Sequence, residues 1–194
     1  MNHRWTRIFF TMRFAHGTYL CIRVHPCFIF SPLTTVGNPM KFILLFLGKT
    51  REGYLNQGIS DYVDRLRRYV PVEIKVLKAK HAKNDSDRVI MGREAEQLLA
   101  YSKSSSLTVA LDAAGKEHGS QELATVLEGW ENRGLQTITF LIGGYLGLDK
   151  TVLAHADLTW SLSRLTFTHE MTRFILLEQL YRACSIKAGH NYHK

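Results

Sequence analysis

The chain has 194 residues, 45% of them hydrophobic and 22% charged, with a formal net charge of +8. That supplies one globular domain with a core, and the basic balance favours polyanions, either nucleic acid or an anionic membrane surface. The three cysteines, Cys21, Cys27 and Cys184, have no metal-site spacing and read as reduced cytoplasmic thiols.

Residues 1–39 carry Arg4, Arg7, Arg13 and Arg23 and no acid. Arg13 and Arg23 break every apolar run and no A-x-A-like site follows, which argues against a signal peptide or a membrane span. An organelle-targeting peptide would suit the arginines but not the many aromatics. The favoured reading is an upstream extension or disordered tail, with the folded domain beginning at Met40. Four of the eight net charges belong to this stretch.

Lys41 to Leu47 is predicted to be a buried strand. Gly53 to Tyr69 reads as a helix with Tyr54, Ile59, Tyr62, Val63 and Leu66 on its apolar face. Arg65, Arg67 and Arg68 crowd its end, where cations suit the helix dipole, and Pro71 stops it. Val72 to Leu77 alternates as a strand exposed on one face. Lys78 to Arg88 is a basic loop, Val89 to Tyr101 a helix containing Glu94, and Ser102 to Ser106 a linker. Leu107 to Asp112 is predicted as a short buried strand ending in an acid. A helix over Gln121 to Arg133 follows, with Leu123, Val126, Leu127 and Trp130 inside and Ser120 as its cap. The apolar strand Thr137 to Ile142 ends in Gly143-Gly144-Tyr145-Leu146-Gly147. A short helix over Asp149 to His155, a strand over Leu158 to Leu162 and a long C-terminal helix complete the order. That helix carries Phe174, Leu177, Leu180 and Tyr181 on one face. Such alternation means a single α/β domain with a mostly parallel sheet and helices on both faces.

Gly48-Lys49-Thr50 looks like the end of a phosphate loop, but the required first glycine falls at Ile43. Gly143-Gly144-x-x-Gly147 is not the dinucleotide fingerprint, yet it lies between a strand and a helix, as either a ligand loop or a tight turn. Asp112 sits at another strand end. His169 and Arg173 are four apart, so both can point at one anion. Arg164, Arg173, Arg182, Lys187 and Lys194 form either a phosphate track or a solvated face. His190, Tyr192, His193 and Lys194 are either a frayed terminus or a functional tail.

Six spaced motifs, MKFILLFLGK, TVALDAAGK, FLIGGYLGL, WSLSRLTFTHEMTR, LLEQLYRA and HNYHK, run from Met40 to Lys194. Together they resemble the ribosomal large-subunit methyltransferase H family, the 23S rRNA (pseudouridine(1915)-N3)-methyltransferases of the SPOUT superfamily. The resemblance implies a C-terminal trefoil knot, a homodimer with the active site at its interface, and S-adenosylmethionine as the only cofactor, with no metal and no membrane. It places the donor contacts on Leu111, Gly143, Leu162, Ser163, Arg164, Leu165, Thr166 and Phe167. The implied partner is 23S rRNA in the ribosome, and the implied location is the cytoplasm. Arg173, Tyr192 and His193 would orient the base and stabilise its anion, while His193 or His169 relays the proton. Arg65, Arg67, Arg68 and the Lys78–Lys83 loop would hold flanking phosphates. The family usually has Pro-His-Gln where this chain has Thr168-His169-Glu170. The change is expected to loosen the loop before the last helix and to bring a negative charge near the sulfonium. The alternatives are a non-catalytic basic α/β RNA-binding module and a SPOUT methyltransferase acting on another RNA base.

Overall fold

The computed structural model describes residues 39–78 and 84–190. The expected extension over residues 1–39, apart from its last residue, and residues 79–83 of the basic loop lie outside that range. Five strands, β1 (Lys41–Leu47), β2 (Val72–Leu77), β3 (Leu107–Glu117), β4 (Thr137–Ile142) and β5 (Leu158–Ser161), alternate with five helices. These are α1 (Gly53–Leu66), α2 (Asp87–Ser102), α3 (Ser120–Asn132), α4 (Lys150–His155) and α5 (His169–Lys187). The strands form one sheet in the order β2-β1-β4-β3-β5, and every pairing is parallel.

A strand covered on both faces needs apolar side chains at every position. In β1, Phe42, Leu44 and Phe46 face a core built with α1, α3 and α5. Ile43, Leu45 and Leu47 face a second core built with α2 and α4. The two-residue period of the strand thus divides one continuous apolar run between two layers. At the sheet's far side Trp160 of β5 stacks on Trp130 of α3, with ring centroids 5.3 Å apart. Among the described residues no helix is long and apolar enough to cross a membrane.

Several boundaries differ from expectation. Helix α1 stops at Leu66 rather than Tyr69, because the backbone N–H groups of Tyr69 and Val70 both turn back to the Leu66 carbonyl. Its buried stripe is Leu55, Ile59, Val63 and Leu66, while Tyr54 is 68% exposed. Gly119, not Ser120, is the N-cap of α3, and the Ser120 hydroxyl donates instead to Gln179 Oε1.

The largest difference is β3, which continues five residues past Asp112. Both Leu111 and Lys116 pair with Trp160, so the residues between them bulge out of the ladder. Gly115 sits where the bulge closes on β5. A Cβ there would lie 2.6 Å from the Trp160 carbonyl carbon and 2.7 Å from that of Thr159. Only glycine allows two backbones to approach this closely.

Gly129, inside α3, has nothing within 4 Å of an added Cβ. Gly115→Ala should therefore destabilise the protein by about 1–3 kcal/mol. Gly129→Ala should stabilise it by about 0.5–1 kcal/mol. Chemical denaturation midpoints of the two variants check the opposite signs.

Candidate active site

At the carboxyl ends of β4, β3 and β5 the sheet opens into a pocket of about 610 Å³. In parallel α/β sheets this is where ligands bind. Residues 111–113 come from the bulge within β3, residues 142–148 from the end of β4 and the loop after it, and Trp160, Leu162, Ser163 and residues 165–168 from β5 and the loop after it. His169 and Thr172, on the first turn of α5, close the wall.

The glycine loop is shaped by its own contacts. An added Cβ on Gly143 would meet the Gly147 carbonyl carbon at 2.5 Å, so the loop folds back on itself at that point. Gly147 has φ +83°, which favours glycine, and its N–H donates to Gly144 O at 3.1 Å. Behind the loop lies the buried carboxylate of Glu94, whose Oε2 would sit 2.9 Å from a Cβ on Gly144. Tyr145 is carried at the tip and is 64% exposed. Beyond the loop, Asp149 caps α4 by accepting from Thr151 N at 2.8 Å.

The loop after β5 is held by short-range hydroxyl bonds. Ser161 Oγ donates to Ser163 O at 2.9 Å, and Leu165 N donates to Ser163 Oγ at 3.0 Å. Thr168 is the N-cap of α5, its hydroxyl accepting from Met171 N. The expected loosening by Thr168 is thus offset by a cap of the kind that helix starts favour.

Of the residues assigned to the donor, Leu111, Gly143, Leu162, Ser163, Leu165, Thr166 and Phe167 line this one pocket, and Arg164 does not. Arg164 lies 3.6 Å from Glu117 instead. His169 lines the pocket, but Arg173 is absent from its wall. Arg173 is fully buried. Its guanidinium lies 4.7 Å from the Phe46 ring centroid and donates to Leu47 O at 2.6 Å and Thr50 Oγ1 at 3.0 Å. The i, i+4 spacing does not bring His169 and Arg173 to one anion, because the longer side chain runs under α5 to the end of β1.

Glu170 also departs from expectation. It is buried, and its carboxylate accepts from Arg51 N at 3.0 Å and Glu52 N at 3.2 Å. Burial pushes its carboxyl up, but the two amides and the charges of His169 and Arg173 outweigh this and hold it below the usual range. Its charge is therefore committed to the loop after β1 and not to the pocket. His169 has its protonation depressed by burial and by Arg173, against the pull of Glu170, with Arg51 adding to the depression. It is neutral near pH 7 and able to accept a proton.

Among the described residues, the members of the candidate phosphate track make internal contacts, Arg164 with Glu117 and Arg173 with Leu47 and Thr50 as above. Arg182 binds Glu178 and Lys187 binds Glu131. At the far end of α5, Tyr69 OH lies 2.7 Å from His190 Nδ1, and Ser185 Oγ donates to Tyr69 OH. Tyr192, His193 and Lys194 lie outside the described residues.

Ala113, Leu146, Trp160 and Thr172 belong to the wall without having been singled out from the sequence. Thr172 had a readable signal, being one turn from His169, whereas Trp160 reads as core. Among the described residues no group of His, Cys, Asp and Glu could hold a metal ion.

Residues 40–193 match the family described as predicted SPOUT methyltransferase. The ribosomal RNA large subunit methyltransferase H of Desulfotalea psychrophila is 44% identical over 155 residues, covering 80% of this chain and 100% of that protein. The protein of the same name from Acetivibrio thermocellus is 42% identical over 159 residues, with 80% and 100% covered. That of Bifidobacterium adolescentis is 39% identical over 159 residues, with the same coverage.

The Glu170 contacts carry a pH signature. Its folded pKa lies below the ordinary 4.5, so between the two values the unfolded chain binds more protons. The resulting stability is full above about pH 4.5 and is lost as pH falls through the folded value. Denaturation midpoints should decline in that window, and Glu170→Gln should flatten that part of the decline.

Proposed function

This chain belongs to the ribosomal RNA large subunit methyltransferase H family of SPOUT methyltransferases, and we propose that it methylates N3 of pseudouridine 1915 in 23S rRNA, using S-adenosylmethionine. The observation that carries the reading is the convergence of the β3 bulge and the loops after β4 and β5 on one pocket. Its volume is that of a small-molecule site. Leu111, Leu148, Trp160, Leu162 and Phe167 supply apolar walls suited to adenine, and the backbone of residues 143–147 supplies polar groups for orientation. When bound, S-adenosylmethionine supplies an electrophilic methyl group on a sulfonium sulfur.

The remaining work falls to the chain's own residues. The target N3–H lies between two carbonyls and must lose its proton before the nitrogen can attack. His169, neutral and on the pocket wall, accepts that proton and later releases it to solvent. The pocket fixes donor and base in line, which removes much of the entropic barrier. Arg173 contributes by positioning the first turns of α5, and with them His169.

The anion formed at N3 is stabilised by Tyr192 and His193 of a second copy. This part of the reading rests on the likeness to the family, which implies an active site at a subunit interface. The active unit is then a homodimer with a pocket at each interface. The same reading has the segment after β5 threaded as a trefoil knot and the enzyme working in the cytoplasm.

The direct test is tritiated methyl transfer to ribosomes from a strain lacking the mark, with the modified base identified by mass spectrometry. Label at N3 of pseudouridine 1915 is expected. Label on another base, or saturable RNA binding without donor binding, would contradict the reading. A chain ending at Gly189 should bind the donor normally but lose at least about 100-fold in transfer, the scale of a general acid–base or anion-stabilising group. Full transfer by that truncation would remove the tail from the mechanism. His169→Asn should lower the rate above pH 6.5 and abolish the fall in rate that the native enzyme shows as His169 protonates below it.

A further inference from the structure

We propose that the loop between β1 and α1, from Gly48 to Glu52, is a preformed contact for an RNA backbone phosphate beside the pocket, made by the side chains of Lys49 and Arg51. The proposal rests on the rRNA-methylation reading above.

The loop leaves the carboxyl end of β1, the same end of the sheet as the pocket. Its backbone is fixed from both sides. Gly48 N donates to Leu77 O of β2 at 2.8 Å, and Gly48 itself has φ +75°. From the other side α5 reaches in with two charged side chains that are themselves buried. Arg173 bonds Leu47 O and Thr50 Oγ1. Glu170 takes the N–H groups of Arg51 and Glu52. Both come from the first two turns of the helix whose His169 and Thr172 line the pocket.

Burying an arginine and a glutamate is costly unless they are well bonded. Here they are spent on the backbone of an exposed, polar loop. What the brace leaves outside is two cations and one acid, Lys49, Arg51 and Glu52. Lys49 and Arg51 are exposed, and neither carries an ion pair among the described residues. The basic side chains nearest in type are otherwise engaged: Arg67 with Asp64, Arg164 with Glu117, Arg182 with Glu178 and Lys187 with Glu131. Arg51 is also close enough to His169 to add to its depressed protonation, which places the loop next to the proposed proton acceptor. Of the two nearby carboxylates, Glu170 is held by the loop's amides, while Glu52, at the end of the loop, is exposed and offsets part of the positive charge.

An arginine fork and a lysine point charge on a rigid backbone are suited to phosphate oxygens. Rigidity matters because ordering the loop on binding would subtract from affinity. The partial likeness of Gly48-Lys49-Thr50 to a phosphate loop therefore reflects the ligand's chemistry without the nucleotide-loop geometry.

The test is the salt dependence of binding to large ribosomal subunits that lack the methyl mark, measured by filter binding between 50 and 200 mM salt. Each cation removed from a phosphate lowers the log–log slope by roughly 0.7–0.9. Lys49→Gln/Arg51→Gln should therefore reduce it by roughly 1.5, with S-adenosylmethionine affinity unchanged. Lys103→Gln/Arg133→Gln removes the same charge at the amino ends of β3 and β4 and should change the slope by less than half as much. Glu170→Ala should weaken binding in the native background and add nothing in the Lys49→Gln/Arg51→Gln background, as expected of a residue acting through the loop. An unchanged slope in the double variant, or an equal fall in the control pair, overturns the proposal while leaving the methylation reading intact. Absence of any salt-dependent affinity in the native protein would instead bring down the RNA reading itself.

Discussion

A single buried guanidinium ties the last helix to the end of the central strand, and the pocket's geometry depends on that tie. Arg173 has no carboxylate in its grip. Its charge is met by a carbonyl, a hydroxyl and an aromatic face. Three of the pocket's walls are loops that leave the sheet directly, but the fourth is the first turn of α5, which no strand positions. Arg173 and Glu170, one turn apart and both engaging residues 47–52, supply that position. Each hydrogen bond to such a charged group typically contributes about 1.5–3 kcal/mol. On the same turn, burial and then Arg173 depress the protonation of His169, against the pull of Glu170.

The glycine loop shows a related economy. Gly143 is required because the chain passes back against its own backbone, Gly144 because the Glu94 carboxylate lies behind it, and Gly147 because its φ is +83°. The loop carries Tyr145 outward, 64% exposed. The sequence left open a ligand loop or a tight turn. The loop's own contacts and backbone conformation account for all three glycines, and its residues also line the pocket.

Much of the fold was legible because its signals are local. The uninterrupted apolar runs of β1 and β4 and most of the stripes of α1 and α3 follow from burial on two faces or one side, whereas the expected alternation in β2 breaks at its end, where Val76 is 49% exposed and Leu77 is buried against the other layer. The second half of β3 was not legible, since Asp112 to Glu117 is polar and becomes a strand only by pairing with β5 across a bulge. The i, i+4 spacing of His169 and Arg173 correctly put them on neighbouring turns but could not say that the arginine's longer stem would carry its charge under the helix. Glu170 was misread for the same reason: its partners are backbone amides 118 and 119 residues away, which leave no trace in its own neighbourhood. The convergence of Leu111, Gly143, Leu162, Ser163 and residues 165–167 could be anticipated because the apolar runs of parallel strands end there, and such strands deliver their ends to one side of a sheet; the same reasoning could not show that Arg164 turns away to Glu117.

The central claim is that this convergence makes a donor pocket. The most direct measurement is calorimetric titration of S-adenosylmethionine into the native protein and into Thr166→Trp, whose exposed position on the pocket wall lets a large ring fill the cavity without entering the core. One saturable site per chain in the native protein, lost in a variant that remains folded by circular dichroism, is the predicted result. Undiminished donor binding with the pocket filled, or no binding by the native protein, would contradict it.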